Sequence, residues 1–398
     1  MARKDRRDLI EAIEKKRGSK VICYVTSDRH NLSAQIAGDV VSIIHDHILS
    51  LDQDSRSKLD LFIYSRGGHS DVPWALVSMF RQYCHKGSFS VLVPYRAHSA
   101  ATVICLGADE IVMTKKGELG PIDATMASGP FNPTEGNTPN RLPVSVEDVN
   151  GYFALLDRFG CERPTEKMEG FKELTQRVHP LALGAVNRLL EETKLVGLRL
   201  LSTRAKPFAE EDNHDIIKKL SSEVYSHSHA INRTEAVKYL GLKHVKNAES
   251  ISLDSEMWNL YQQYRELFQL EVPFVPEESL IVKDLDEHVW KDLPYACVES
   301  VNRFDVCQKS LRVKKLRNIP PTINLNLNNI AMPTINLPAL PQTLDPQQLA
   351  NLVQQVVKAT VQQGLNTAVQ SAIDSLLKSL PQRGFEHVVF DAGWKSEQ

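Results

Sequence analysis

Four short, mostly apolar runs, at residues 21–25, 61–64, 89–93 and 110–113, alternate with stretches whose apolar side chains recur every three to four positions. A run of four or five apolar residues suits a strand buried on both faces, and the longer spacing suits a helix with one buried side. Strands buried on both faces belong to parallel sheets covered by helices. The helical stretches fall where crossover connections are needed, at 33–49, 72–83 and 100–106, the last of small and apolar residues. A charged helix over residues 2–17 precedes the first strand. The rhythm predicts an α/β domain with a mainly parallel sheet.

The chain has 398 residues, 42% of them hydrophobic, which is enough for a buried core in two or three structural units. Lys and Arg number 47 against 49 Asp and Glu, so no basic excess points to nucleic acid or an anionic membrane surface. No run reaches the roughly 18 apolar residues of a membrane span, and no signal-peptide pattern follows the charged residues 1–7. The six cysteines are scattered without a C-x-x-C pair. That gives a zinc or redox motif no support and fits thiols packed as small hydrophobes. A soluble, cytoplasmic chain without a cofactor is the expectation.

The domain expectation is a catalytic domain over 1–250, an α+β extension packing on it over 251–318, a Pro/Asn-rich linker over 319–345, and a helix with a tail over 346–398. Residues 127–143, rich in Pro, Gly, Asn and Thr, read as a long surface loop of the kind used as a lid or binding loop. Helical patterns resume at 146–159 and 181–201. In the tail, Leu349, Leu352, Val356, Val357, Val361, Leu365, Val369, Ile373 and Leu377 are placed on one helix face. Such a stripe needs a cover, either the core or another subunit. The Gln-rich polar face argues against a membrane surface.

The chemistry concentrates between residues 61 and 123. Gly67-Gly68 follows a strand and precedes a helix, so its backbone can turn tightly and present N–H groups to a developing negative charge. The plain alternative is a strand-to-helix turn. Ser99 follows a strand and a turn and enters a helix of small residues, Ala100, Ala101 and Thr102. There its hydroxyl is exposed at a helix start beside a free N–H. The plain alternative is an N-cap. His45-Asp46-His47 is a poor metal site, because positions i and i+2 on a helix do not share a face. His227-Ser228-His229 has no further ligand nearby in sequence.

Five blocks together carry a family resemblance. They are Ser65-Arg66-Gly67-Gly68, residues 93–102 (VPYRAHSAAT), residues 108–113 (ADEIVM), residues 119–123 (LGPID) and residues 226–242 (SHSHAINRTEAVKYLGL). The combination resembles the ClpP/crotonase superfamily, and more closely the serine dehydrogenase proteinase family, relatives of ClpP and of the signal peptide peptidase SppA. Over residues 5–245 it implies a spiral of β-β-α units. It also implies a nucleophile at Ser99, with Gly68 and Ala100 supplying oxyanion N–H groups and Gly67 shaping the turn. The family usually has Gly-Gly after the nucleophile, where this chain has Ala100-Ala101; the two methyls either narrow the site or stiffen the helix.

The base is open. SppA-type enzymes use a lysine, but none lies between Lys116 and Lys167. Where ClpP has its histidine this chain has Asp123, and near the place of the ClpP aspartate it has His227 and His229. A triad of Ser99, His227 and Asp123 exchanges base and orienter along the chain, which is allowed because triads are defined by geometry. His229 is a second candidate for the base. His98 is a third, although adjacent positions at a helix start point apart.

Three functions compete. The first is a serine peptidase acting through an acyl-enzyme on peptide or protein substrates, within a homo-oligomer. The second is a non-catalytic scaffold that keeps the fold, favoured by Ala100-Ala101 and the open base. The third is an acyl-CoA enzyme of the crotonase branch, disfavoured because such enzymes need an N–H pair and a carboxylate but no serine. No dinucleotide loop or pyridoxal lysine motif supports serine dehydrogenase activity.

Overall fold

The computed structural model describes residues 3–84, 87–123, 125–126, 129–136, 138, 140–223, 226, 228–318 and 346–397. The chain divides into two compact units. The first comprises Met1–Phe274, Asp292–Lys309 and Asp391–Gln398, and the second Val275–Lys291 and Ser310–Phe390.

The first unit opens with α1 (Arg3–Arg17), β1 (Lys20–Thr26) and a short hairpin, β2 (Asp28–Arg29) and β3 (Leu32–Ser33). It continues through α2 (Val40–Leu49), β4 (Leu59–Tyr64), α3 (Val72–Tyr83), β5 (Phe89–Val93), β6 (Arg96–Ala97), α4 (Ala100–Leu106), β7 (Glu110–Met113) and β8 (Glu118–Leu119). The helix expected from residue 33 begins only at Val40, because the preceding residues are used in the hairpin and in a bridge from Ile36 to Gly68. After β9 (Thr125–Met126) and β10 (Val144–Ser145) come α5 (Val146–Arg158), α6 (Pro164–Arg177), α7 (Pro180–Ser202) and α8 (Glu210–Lys218). The chain then returns through β11 (Ile231–Asn232), α9 (Arg233–Lys238), β12 (Val245–Asn247) and α10 (Asp254–Leu267). Residues 127–143, expected to be a loop, lie between the paired strands β9 and β10.

β12, β7, β5, β4 and β1 form a parallel sheet in that order. Their side chains alternate between two cores. Ile22, Tyr24, Leu61, Ile63, Val91 and Ile111 pack with α2, α3, α4 and α7. Val21, Cys23, Val25, Phe62, Leu92 and Val112 pack with α1 and α10. Burial on both faces is what the continuous apolar runs require. β1 also pairs antiparallel with β13 (Glu287–Glu299), Cys23 lying opposite Glu299.

A second, smaller sheet gives the chain its spiral. After β5 comes β6, and after β7 comes β8; the two pair in parallel, Arg96 with Glu118 and Ala97 with Leu119. After β4, Ser65 bridges Ala97 in the same sense. Each turn therefore runs through a long strand, a short strand and a helix, the β-β-α repeat of a ClpP-like fold. At the opposite ends of the long strands, Arg17 reaches Asp60, Ser90 and Glu110 and ties the starts of β4, β5 and β7 together.

The second unit holds α11 (Pro276–Val282), parts of β13, β14 (Phe304–Arg317) and β15 (Gln382–Glu397), and α12 (Pro346–Ser379). Arg317 pairs with Asp286, and His387 with Glu277 at 2.9 Å. The linker 319–345 lies outside the described residues. On α12 many of the apolar positions step by four, so on a helix of 3.6 residues per turn the stripe winds by roughly 40° at each step. The half-buried positions follow it from Val353 and Val357 to Ala372 and Leu376.

Candidate active site

The short sheet ends in two backbone features that face each other. One is the turn at Gly67-Gly68 after β4; the other is the entry to α4 at Ser99. Ser99 has φ 51° and ψ −119°, outside the helical and extended regions. A non-glycine residue held there costs about 1–3 kcal/mol, and such strain clusters at functional sites. The Ser99 side chain makes no capping hydrogen bond to α4. The N-cap reading of this serine therefore fails, since a cap needs an extended backbone and an accepting Oγ.

Gly67, at φ +105°, lies against this elbow. A Cβ on Gly67 would come 2.7 Å from Ser99 Cβ, 2.8 Å from the His98 carbonyl oxygen and 3.1 Å from the Ala100 nitrogen. Only glycine satisfies both the dihedral and the contact. Gly68 is forced to be glycine by a different neighbour, because a Cβ there would overlap the backbone of Ile36.

The backbone donors divide cleanly. Gly67 N–H donates to Ser65 Oγ at 3.0 Å. The bridge to Ile36 uses the Gly67 carbonyl and the His69 N–H, at 2.8 and 2.9 Å. Gly68 N–H bonds to none of the described residues, and the same holds for Ala100 N–H at the first position of α4. The turn and the elbow are held by polar contacts on the other side. Thr26 Oγ1 donates to Ser65 Oγ at 2.8 Å. Asp28 accepts from Tyr64, Arg66 and Arg96 at 2.7, 2.9 and 3.0 Å. Ala100 and Ala101 are buried, and Thr102 Oγ1 accepts the Gly120 N–H at 3.0 Å, docking residues 119–123 on α4.

His98 turns away from Ser99. Its ring packs on Gly120, where a Cβ would come 2.9 Å from His98 Cγ, and its Nε2 lies 3.2 Å from Glu118 Oε1 without hydrogen-bond alignment. Burial pushes the Glu118 carboxyl up, but His98 and Arg96 outweigh it and hold the group below the usual range. His98 thus serves the β6–β8 sheet.

Asp123 is buried, three residues beyond Gly120. Glu147 stands in the first turn of α5, close enough to Asp123 for the two charges to interact. Burial raises the Glu147 carboxyl, and the charge of Asp123 raises it further. Glu147 carries no motif of its own in the sequence; only the fold brings it to Asp123. His229 is exposed, with Nε2 2.8 Å from Glu235 Oε1 on α9. His227 lies outside the described residues. β11 pairs with β8, Ile231 opposite Leu119, and so returns the segment after residue 228 to the spiral.

The structure also holds a serine–histidine–aspartate set that sequence reading missed. His47 Nδ1 meets Ser300 Oγ at 2.8 Å and His47 Nε2 meets Asp305 Oδ2 at 2.9 Å. All three residues are buried, and burial outweighs Asp305 to lower the His47 imidazole to about 4. Among the described residues no group of three or more His, Cys, Asp or Glu side chains could hold a metal ion, and no helix is long and apolar enough to cross a membrane.

Comparison with known proteins bears on the segment that carries these residues. Residues 1–134 match a family model described as ClpP-like SDH-type serine proteinase. That segment includes the Gly67 turn, Ser99 and Asp123, so the resemblance read from the sequence holds where the site lies, and at the level of the family it supports a serine peptidase. The chain is also 32% identical over 72 residues to an uncharacterized protein of Methanocaldococcus jannaschii, a match spanning 18% of this chain and 24% of that relative. Among solved structures, a mutant of the 1510-N membrane-bound stomatin-specific protease is similar at 16% identity, over 57% of this chain and 81% of that one, with a TM-score of 0.30.

Proposed function

We propose that the chain is a serine peptidase in which Ser99 is the nucleophile and the N–H groups of Gly68 and Ala100 form the oxyanion hole. The observation that carries this reading is a strained, non-capping serine packed against a glycine turn, with two backbone donors beside it that no described residue engages. Ser99 Oγ attacks the scissile carbonyl carbon as its proton passes to the base. The C–O bond forms, and the carbonyl electron pair moves onto the oxygen between the two N–H groups. Collapse expels the amine, which takes the proton from the base. Water then cleaves the acyl-enzyme by the same steps in reverse. His227 as base and Asp123 as its orienter complete the proposal.

A peptide or protein substrate, a cytoplasmic setting and assembly into homo-oligomers belong to the same reading. Comparing solution mass with and without residues 319–398 tests the assembly. The catalytic test is a fluorophosphonate probe with mapping of the adduct. Labelling of Ser99 that is lost in Ser99→Ala supports the proposal. An unlabelled, folded protein moves the assignment to a scaffold. That second reading draws on His229, which bonds to Glu235, and on His98, whose ring packs on Gly120 with Nε2 3.2 Å from Glu118.

A further inference from the structure

We infer that Ser65 is a positioning residue for the oxyanion hole, with its hydroxyl acting as a latch that Thr26 closes. The inference rests on the proposed serine chemistry, and its physical part can be tested apart from it.

Ser65 is fully buried and holds both halves of the site. Its side chain accepts two hydrogen bonds, from Thr26 Oγ1 at 2.8 Å and from Gly67 N–H at 3.0 Å. Its backbone makes two more in the bridge to the strand before the nucleophile. Ser65 N–H donates to Arg96 O at 2.9 Å, and Ser65 O accepts from His98 N–H at 3.0 Å. One residue therefore joins the end of β1, the Gly67 turn and the residue before Ser99.

The direction of the Gly67 N–H is the consequence that matters. Successive N–H groups in a tight turn compete for the same space, and a hole needs its donors aimed at one point. With Gly67 N–H drawn back onto Ser65 Oγ, the turn is fixed at φ +105° and the Gly68 N–H is the one left without a described acceptor. Without the hydroxyl, Gly67 N–H is a buried donor lacking its acceptor, and the peptide can rotate to relieve it. That rotation moves Gly68 N–H, because the two belong to consecutive peptides. Thr26 fixes the Ser65 rotamer by donating to the same oxygen.

The experiment uses the full chain in four forms: wild type, Ser65→Ala, Ser65→Thr and Thr26→Val. Two quantities are read, the hydrogen exchange of the Gly67 amide by NMR and the rate of fluorophosphonate labelling at Ser99. Ser65→Ala is expected to speed exchange at Gly67 and to slow labelling by about ten- to a hundredfold, the range for a misplaced catalytic group. Ser65→Thr, which keeps the hydroxyl, should restore both. Thr26→Val should shift both in the same direction by less, and it decides the matter alone if Ser65→Ala does not fold. Unchanged Gly67 exchange in Ser65→Ala overturns the latch. Faster exchange with unchanged labelling overturns its positioning role. If the wild type takes no label, the peptidase proposal fails by itself, while the exchange data still judge the latch.

Discussion

Replacing Gly67 by alanine tests the geometry of the site most directly. The new Cβ would sit 2.7 Å from Ser99 Cβ and 2.8 Å from the His98 carbonyl oxygen. Carbon atoms rest at about 3.5–4.0 Å, so the turn and the elbow must part by roughly 1 Å. The elbow cannot retreat as a whole, because Ser65 pins its approach through Arg96 and His98. The displacement falls on Ser99 and Ala100, the residues proposed to attack and to stabilise. A misplacement of about 1 Å costs on the order of a hundredfold in rate. The unfavourable φ adds about 1–3 kcal/mol of lost stability. Gly18→Ala separates the two effects, since Gly18 also has positive φ, +59°, but a Cβ there meets nothing within 4 Å. It should lose comparable stability and label at the wild-type rate. The assay is the second-order rate of fluorophosphonate labelling at Ser99, with urea unfolding run in parallel. Labelling of Gly67→Ala at the wild-type rate would show that the turn does not hold the nucleophile, and the reasoning would be wrong.

Three further outcomes follow from buried groups. His47, lowered from 6.5 to about 4 by burial against the pull of Asp305 and Asp46, stays neutral in the fold while the unfolded chain takes up a proton below pH 6.5. Stability should therefore fall as pH drops through that window, by about 2 kcal/mol from this group between about pH 7.5 and 5. The stability gap between wild type and His47→Gln in urea should narrow by that amount, and a constant gap refutes it. Arg6 pairs with the buried Glu299 at 2.6 Å, so Arg6→Met should cost about 3–5 kcal/mol, and adding Glu299→Leu should recover most of it. A double variant as unstable as the single would show that the loss is one of packing. Ser99→Gly should abolish labelling yet raise stability by about 1 kcal/mol, because relief of positive φ exceeds the added chain entropy. A lower urea midpoint would mean that the elbow carries no strain.

What could be read from the sequence follows from the range of the forces involved. The parallel sheet was legible because strands buried on both faces must be almost continuously apolar, as 21–25 and 61–64 are. The glycine turn and Ser99 were legible because glycine pairs and a small-residue helix leave a local mark. α6 was missed because its apolar positions, Met168, Phe171 and Leu174, are few among charged residues and only Gly170 of the helix is buried. β15 was missed because its residues alternate weakly and none of those described is buried. Glu147 was invisible for a different reason. It lies 24 positions from Asp123 in the sequence, beyond the range of any local pattern, and only the fold brings the two charges together. Ser65 lay in the motif, yet only its contacts with Gly67 and Thr26 suggest a role for it.

The Ser300–His47–Asp305 set shows what must be added to three residue types before they make a nucleophile. Its distances, 2.8 and 2.9 Å, are those of a working triad. Its chemistry is blocked at every other point. Ser300, His47 and Asp305 are 1%, 0% and 3% exposed, so no carbonyl can reach the hydroxyl. Ser300 N–H donates to Arg303 O at 2.9 Å and so cannot stabilise an oxyanion there. Asp305 also takes a two-pronged bond from Arg303, and the imidazole is kept from protonating near neutral pH, which a base must do in mid-reaction. The set is a polar fastener between α2 and the β13–β14 turn. Ser99 differs on each count that catalysis needs. It is partly exposed, it is strained rather than satisfied, and it has N–H donors on both sides that no described residue engages. The glycine turn and its latch, more than the presence of a histidine and an aspartate, are what single it out. Removing a donor of the proposed hole should therefore slow labelling at Ser99 even where the proposed base and orienter are intact.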